Sequence, residues 1–178
     1  MKELSLHILD IAQNSITAES KHLSLTLEEN GIGLLTITVS DDGCGMAPGF
    51  LETVTDPFTT TRTTRKVGLG LPLLRMSAEQ TGGTLQVDSV LGAGTTVTAT
   101  FYSSHIDCPP VGDIASTVAL LTQGAPHVEL TYLHTTPNGR FFFSTREVLE
   151  MLGPHVPLSE PTVTLWIQEY IKENETLL

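Results

Sequence analysis

The chain has 178 residues, 40% hydrophobic and 16% charged, which is enough for one ordinary domain with a core. Its longest apolar runs are far shorter than the roughly 18 residues of a membrane helix, and its acidic N-terminal stretch is not a secretory signal. A net charge of -11 disfavours a nucleic-acid partner, and two cysteines, Cys44 and Cys108, fit a reducing compartment, so we expect a cytoplasmic protein.

The first hundred residues alternate between helical and strand periodicity. Apolar residues recur at helical spacing near the N-terminus and then alternate with polar ones on both sides of the turn signal Asn30-Gly31. The predicted elements are a helix (3–20), two strands (23–28 and 34–39), a loop (41–68), a helix (69–80) and two strands (84–90 and 95–102). This order predicts an α+β fold, a two-layer α/β sandwich with its helices on one face of the sheet.

A second unit is predicted after residue 102. Residues 103–112 contain Pro109-Pro110 and no periodicity, so we interpret them as a linker that ends a domain of residues 1–102. The tail, 113–178, is predicted to be a small α+β extension with a partial core of its own. Its predicted elements are a helix (113–122), a hairpin (128–134 and 141–143), a helix opened by a Ser144 and Glu147 capping box, and a helix (161–173).

Asp10 and Asn14 are separated by four positions on the first predicted helix, so they lie on one face of it. A carboxylate and an amide carbonyl are hard oxygen donors that suit Mg²⁺, an ion that keeps most of its waters. An Asp and an Asn facing solvent on a helix are the alternative interpretation of this pair alone.

Two glycine-containing turns follow predicted strands. In residues 41–46, DDGCGM, the glycines let the backbone approach a flat ligand closely, and Asp41 can accept a hydrogen bond from an exocyclic amino group such as that of adenine. In residues 92–97, GAGTTV, Thr95 offers a hydroxyl to the edge of a ligand. A simple strand-ending turn would also account for the first of these.

The basic residues are concentrated near a third glycine motif. Four of the nine, Arg62, Arg65, Lys66 and Arg75, lie around Gly68-Leu69-Gly70. Glycines ahead of a helix leave backbone N–H groups free to hold phosphate at the positive end of the helix dipole, and nearby Arg and Lys can reach terminal phosphates. A solvated loop with chance clustering is the alternative.

The four motifs, in their order along the chain, resemble the ATP-binding domain shared by sensor histidine kinases, type II topoisomerases, the Hsp90 chaperone, mismatch-repair ATPases and bacterial anti-sigma serine kinases. The matching segments resemble its N box (10–18), its F box (55–62) and its three glycine boxes (41–46, 66–71 and 92–97). The resemblance covers residues 1–102, and the DPFTTTR and GLGL forms are most similar to the histidine-kinase branch. It implies a Bergerat-type fold with ATP and Mg²⁺ as cofactors.

The resemblance also implies roles for individual residues. Asn14 would coordinate Mg²⁺, and Asp41 would bind the adenine amino group directly and through a water shared with Thr95. Gly43 and Gly45 would leave room for the nucleotide, and Met46 would pack near the base. The phosphates would meet the second glycine box, Lys66, Gly68, Leu69, Gly70 and Leu71, under an ATP lid formed by residues 59–67. Asp10, Arg62 and Lys66 are the predicted catalytic residues.

Three features depart from the family pattern. Lys66 stands where the second glycine box usually opens with glycine, and it could contact the γ-phosphate. Asp10 stands where the ATPases and anti-sigma kinases carry Glu and histidine kinases usually carry Asn; it could act as a general base. The sequence starts at the N box, without a preceding helical hairpin that bears a phosphoacceptor histidine, and we expect His7 to be a structural histidine.

The leading hypothesis is a Mg-ATP-binding, histidine-kinase-like signalling protein. It would be a kinase catalytic domain without its own phosphoacceptor histidine, acting on or with a partner protein that docks through the tail. One alternative is an anti-sigma-type serine protein kinase with Asp10 as its base. Another is a non-catalytic nucleotide sensor, in which ATP orders the lid and the tail reports it.

Overall fold

The computed structural model describes residues 3–55, 70–153 and 155–178, which form a single mixed sheet with helices on one face. The helices are α1 (Leu4–Thr17), α2 (Pro48–Leu51), α3 (Gly70–Gln80), α4 (Ile114–Gly124), α5 (Thr145–Leu152) and α6 (Pro161–Glu175). The strands are β1 (His22–Glu29), β2 (Leu34–Asp41), β3 (Leu85–Val90), β4 (Gly94–Tyr102), β5 (Glu129–Thr136) and β6 (Gly139–Ser144). The strand order is β3-β4-β2-β1-β5-β6, and these elements confirm the predicted α+β sandwich.

Alternate residues of the strands build the core. Leu25 lies opposite Val39, and Val39 lies opposite Val97, so these three buried side chains share one face of the sheet. The stripe of α1 that packs on this face consists of Leu4, Ile8, Ile11 and Ser15, all buried as the helical spacing predicts. The opposite face of the sheet carries hydroxyl-bearing residues, among them Ser24, Thr26, Thr38, Ser40, Thr96 and Thr98.

The ends of α1 and α3 are set by residues with left-handed backbone. The first helix ends at Thr17, three residues earlier than predicted, because Glu19 adopts a φ of 60° before the chain enters β1. At the end of α3, Gly82 has a φ of 82° and Gly83 donates its N–H to the Ala78 carbonyl, so this glycine stop ends the helix at Gln80, the predicted last residue. In the described ranges, no helix combines the length and the apolar character that crossing a bilayer requires.

The segment between β2 and α3 is not a continuous loop. Residues 41–68 are predicted to be mostly loop, and within them Pro48–Leu51 form the short helix α2 with proline in its first turn. The predicted lid, residues 59–67, lies outside the described residues, as do the predicted site residues Arg62, Lys66, Gly68 and Leu69.

The tail continues the first sheet. Strand β5 pairs in parallel with β1, with Tyr132 next to Leu25, and the buried apolar residues described before and after residue 112 belong to one cluster. The expectation of a separate partial core is therefore corrected, because a lone hairpin buries too little surface, whereas the edge of β1 offers it a partner strand. The boundaries at 102 and 113 stay a prediction.

The predicted linker is attached to the first helix. Leu4 and Ser5 donate their N–H groups to the carbonyls of Pro110 and Val111, so the linker satisfies two of the free donors at the start of α1. Helix α4 then packs against both α1 and α6, which places α4 between the first helix and the last.

Candidate nucleotide-binding site

At one end of the strands, the buried face of the sheet carries a row of polar residues. Asp41, the last residue of β2, lies opposite Thr95 of β4, and Thr95 lies opposite Ser89 of β3. Two positions back along the strands, the corresponding row is apolar and consists of Val39, Val97 and Val87. The apolar face under α1 and α3 therefore ends in three side chains that form hydrogen bonds.

Both carboxylate oxygens of Asp41 are held in place. Ser15 on α1 is buried, and its Oγ donates a hydrogen bond of 2.6 Å to Asp41 Oδ2. The backbone N–H of Gly43 donates to Asp41 Oδ1 over 2.9 Å. Because each oxygen keeps a free lone pair, the half-buried Asp41 carboxylate is oriented and can still accept from a ligand. Ser15 was not predicted to belong to the site, although it lies on the buried stripe of α1.

The glycines of this region allow backbone segments to approach each other closely. A Cβ at Gly45, where φ is +62°, would lie 2.0 Å from the carbonyl oxygen of Val90. A Cβ at Gly94 would lie 2.0 Å from the carbonyl oxygen of Asp41, and one at Gly43 would lie 2.8 Å from that of Ala18. The turn after β2 therefore packs directly on the end of α1 and on the β3–β4 turn.

Ser89 links the two glycine turns. Its Oγ accepts the N–H of Met46 over 2.9 Å and lies 3.0 Å from the Gly94 carbonyl oxygen and 2.9 Å from Thr95 Oγ1. The sequence prediction missed Ser89, but the alternation of Leu85, Val87 and Ser89 puts it on the buried face opposite Thr95. Met46 is half-buried and packs against the core.

Asp10 and Asn14 lie one turn apart on α1, and Asp10 packs against Gly70 at the start of α3. Asn14 is exposed, and Asp10 is half-buried against Gly70, where an added Cβ would lie 2.7 Å from Asp10 Oδ2. The first turn of a helix has N–H groups without partners inside the helix and carries the positive end of the helix dipole, and both favour an anion. Leu71, the second residue of α3, has only 7% of its surface exposed and belongs to the core. Its side chain is therefore buried, and only its backbone could contact a ligand at this turn.

His7, one turn before Asp10 on α1, is fully buried. Neither ring nitrogen has a hydrogen-bond partner within the described part of the chain, and burial lowers the pKa of the imidazole. This agrees with a structural histidine, because a buried ring nitrogen cannot receive a phosphoryl group from ATP.

Asp42 faces the opposite side of the sheet from Asp41. Its Oδ2 lies 2.6 Å from His22 Nδ1, and its Oδ1 accepts the N–H groups of Lys21 and His22. The hydrogen bond with the His22 ring, with the backbone donors, lowers the pKa of Asp42 to about 2. The two adjacent carboxylates thus differ: the partners of Asp42 lie at or just before the start of β1, whereas Asp41 keeps lone pairs that can accept further hydrogen bonds.

Comparison with a family model identifies the class of protein that this site belongs to. The model described as "Histidine kinase-, DNA gyrase B-, and HSP90-like ATPase" matches residues 2–104. The chain belongs to this family, and residues 2–104 form its histidine-kinase-like ATPase domain, which binds ATP. This agrees with the resemblance found on the N box and the glycine boxes.

Among curated proteins, sensor kinases resemble this chain. The sensor histidine kinase ZraS of Escherichia coli (strain K12) is 39% identical over 93 residues, 51% of this chain and 20% of ZraS. The histidine protein kinase DivJ of Caulobacter vibrioides is 35% identical over 95 residues, 51% of this chain and 16% of DivJ. The chain therefore spans about a fifth or less of the length of these relatives.

A longer but weaker match and a solved structure complete the comparison. The virulence sensor protein BvgS of Bordetella bronchiseptica is 26% identical over 176 residues, 93% of this chain and 14% of BvgS. The crystal structure of the N-terminal domain of a DNA repair protein aligns with a TM-score of 0.58 over 81% of this chain and 53% of that chain. At 16% identity, this structural likeness shows a shared fold.

Proposed function

We propose that the protein is the Mg-ATP-binding catalytic domain of a histidine-kinase-like signalling protein, which acts on or with a partner protein. The observation that carries the proposal is the Asp41 carboxylate, oriented by Ser15 and Gly43 and opposite Thr95. An oriented carboxylate at the end of an apolar face suits an aromatic base that carries an amino donor. In this proposal the adenine amino group donates to Asp41, directly and through a water shared with Thr95.

The residues near the start of α3 fit a magnesium ion. Within the described ranges no group of three His, Cys, Asp or Glu side chains could hold a metal by itself. Asn14 offers an exposed amide oxygen one turn from the Asp10 carboxylate, and such a sparse set of oxygen donors suits Mg²⁺, which takes its other ligands from water and phosphates. Asn14 would hold the ion, whose chemistry is to neutralise phosphate charge.

The proposed phosphate end lies at the first turn of α3. The N–H groups there would bind the phosphates of ATP, with Gly70 giving the backbone a close approach beside Asp10. Arg62 and Lys66, through their positions in the sequence, are proposed to neutralise the terminal phosphates from the lid. Asp10 is proposed to orient the attacking group or to take its proton.

The position of Asp10 supports a second candidate, a kinase that phosphorylates a serine of its partner. A serine hydroxyl must lose its proton to attack the γ-phosphate, whereas a neutral imidazole attacks through a free lone pair. The Asp10 carboxylate lies against Gly70, beside the proposed phosphate end of the site, and this position supports the role of a base. In the Asp10→Asn variant, serine phosphorylation should be lost, but phosphoryl transfer to histidine should persist.

ADP formation by the purified chain with Mg²⁺ and ATP tests the proposed activity. The Asn14→Ala variant is the blank, because it removes the proposed magnesium ligand from an exposed position where folding does not need it. Turnover above this blank would show that water reaches the γ-phosphate. ATP binding without turnover would fit a kinase that needs its acceptor, or a sensor. Equal ATP binding by the chain and the Asn14→Ala variant would contradict the proposed metal site.

A further inference from the structure

Ser89 contacts three polar groups at the edge of the proposed base site. Its Oγ lies 2.9 Å from the Met46 nitrogen, 3.0 Å from the Gly94 carbonyl oxygen and 2.9 Å from Thr95 Oγ1. A serine hydroxyl has one hydrogen to donate and two lone pairs to accept with. Three contacts therefore use its full capacity.

The chemistry of the neighbours decides where the hydrogens lie. The Met46 N–H can only donate and the Gly94 carbonyl can only accept, so Ser89 accepts from the first and donates to the second. Its remaining lone pair then faces Thr95, which must donate its own hydrogen to Ser89. If Ser89 instead donated its hydrogen to Thr95, the Ser89 and Gly94 oxygens would lie 3.0 Å apart without a hydrogen between them.

This assignment controls what Thr95 presents to a ligand. With its hydrogen bound to Ser89, the Thr95 hydroxyl offers only lone pairs, and the Asp41 carboxylate opposite it also only accepts. We infer that Ser89 determines base selectivity, because by holding the Thr95 hydrogen it makes this edge of the site accept hydrogen bonds without donating any. The inference rests on the proposed function, in which Asp41 and Thr95 bind the base.

An edge of acceptors distinguishes purines by the group at position 6. The amino group of adenine donates to it, whereas the oxo group of hypoxanthine places an acceptor against acceptors. Without the Ser89 hydroxyl, Thr95 is free to rotate and donate to an oxo group. Ser89 is thus a specificity-determining residue that acts through Thr95.

The turn does not depend on Ser89 alone. The Cys44 carbonyl accepts the Gly92 N–H over 2.8 Å, and Gly45 packs on the Val90 carbonyl. These backbone contacts join the two turns without the serine. We therefore expect Ser89→Ala to keep the site assembled while the Thr95 hydrogen is released.

Equilibrium binding of ATP and inosine triphosphate tests the inference. The native chain should bind ATP more tightly, and Ser89→Ala should reduce the ratio of the two Kd values by about fivefold, the net worth of one hydrogen bond. Ser89→Thr, which keeps the hydroxyl, should retain the native ratio. Thr96→Ala is the matched control, because its hydroxyl bonds Ser40 on the opposite face of the sheet.

An unchanged ratio in Ser89→Ala, with both nucleotides weakened by the same factor, would overturn the inference and leave Ser89 a purely structural residue. If the alanine variant does not fold, Ser89→Cys decides the question, since it keeps the volume while its thiol is a weak hydrogen-bond partner. Failure of the native chain to bind ATP would instead refute the proposed function, and the inference with it.

Discussion

Ser15 and Asp41 are 26 positions apart in the chain, yet Ser15 Oγ donates a hydrogen bond of 2.6 Å to Asp41 Oδ2. The serine directly follows Asn14 on α1, so neighbouring residues of one helix turn orient the proposed base-binding carboxylate and offer the proposed metal ligand. A small shift of α1 would therefore affect the base end and the phosphate end of the site together.

Replacing Ser15 by alanine should weaken ATP binding by about tenfold, because a charge-assisted hydrogen bond that orients Asp41 is lost. Calorimetric titration with ATP measures the effect. The control is Thr17→Ala on the same helix, whose exposed hydroxyl bonds the Gln13 carbonyl. Equal affinities of the two variants would contradict the orienting role of Ser15.

Replacing Gly45 by alanine should destabilise the fold and abolish nucleotide binding, because the new Cβ would lie 2.0 Å from the Val90 carbonyl oxygen. Gly92→Ala is the matched control, since Gly92 also has a positive φ, +81°, but nothing within 4 Å of the Cβ position. Backbone strain alone should cost the control roughly 1 kcal/mol. Urea denaturation compares the two, and similar losses would show that close packing at Gly45 is unimportant.

His134 links the C-terminal helix to the sheet. Its Nδ1 lies 2.7 Å from Glu175 Oε2, and its Nε2 lies 3.5 Å from Glu29 Oε1, while the Tyr132 hydroxyl donates to Glu175 Oε1. Burial by itself lowers the pKa of His134, but the hydrogen bond to Glu175 and the charges of Glu175 and Glu29 outweigh it and raise the pKa. When it is protonated, the His134 imidazole joins α6 to β5 and β1 through Glu175 and Glu29.

A raised pKa in the folded state stabilises the protein at low pH. The contribution of His134 should be complete below the ordinary histidine pKa of about 6.5 and should be lost as the pH rises through the raised value. His134→Gln should cost on the order of 2 kcal/mol at pH 6 and less at pH 9, measured by urea denaturation. The exposed His127→Gln is the control, and a cost for His134→Gln that does not depend on pH would refute the linkage.

His7 has the opposite pH dependence. Because burial lowers its pKa, the folded chain resists protonation of this ring, and stability should fall as the pH drops below about 6.5. His7→Leu removes two buried ring nitrogens without partners and should stabilise the fold by roughly 1–2 kcal/mol at pH 7, with a larger gain at pH 5. Denaturation curves at the two pH values measure this, and destabilisation at both would contradict it.

Local periodicity was sufficient to predict every described helix and strand except the short helix α2. Sequence alone revealed three features, because each depends on neighbouring residues. They are the apolar stripe of α1, the alternation of Leu23, Leu25 and Leu27, and the glycine stop after α3. The Ser144 and Glu147 capping box was only half right, since α5 begins after Ser144 but the serine side chain forms no capping hydrogen bond.

Long-range contacts could not be predicted from the sequence. The parallel pairing of β5 with β1 depends on which sheet edge is free, and no local pattern encodes it. Ser15 lies in the segment that resembles the N box, but its contact with Asp41 depends on how α1 packs on the sheet. Ser89 belongs to no motif, and only the register of β3 and β4 places it opposite Thr95. Asp10 and Asn14 were found because they lie on one helix, but the approach of Asp10 to Gly70 required the packing of α3 on α1.

Binding of ATP to Asp41→Asn and Asp42→Asn variants tests the central claim most directly. The two substitutions are chemically identical and adjacent, but Asp41 faces the proposed base site whereas Asp42 bonds His22 on the other face. With Mg²⁺ present, calorimetry should show that Asp41→Asn loses at least tenfold in affinity for ATP while Asp42→Asn stays within about twofold of the native chain. Equal losses, or a greater loss in Asp42→Asn, would contradict the assignment of Asp41 to the base.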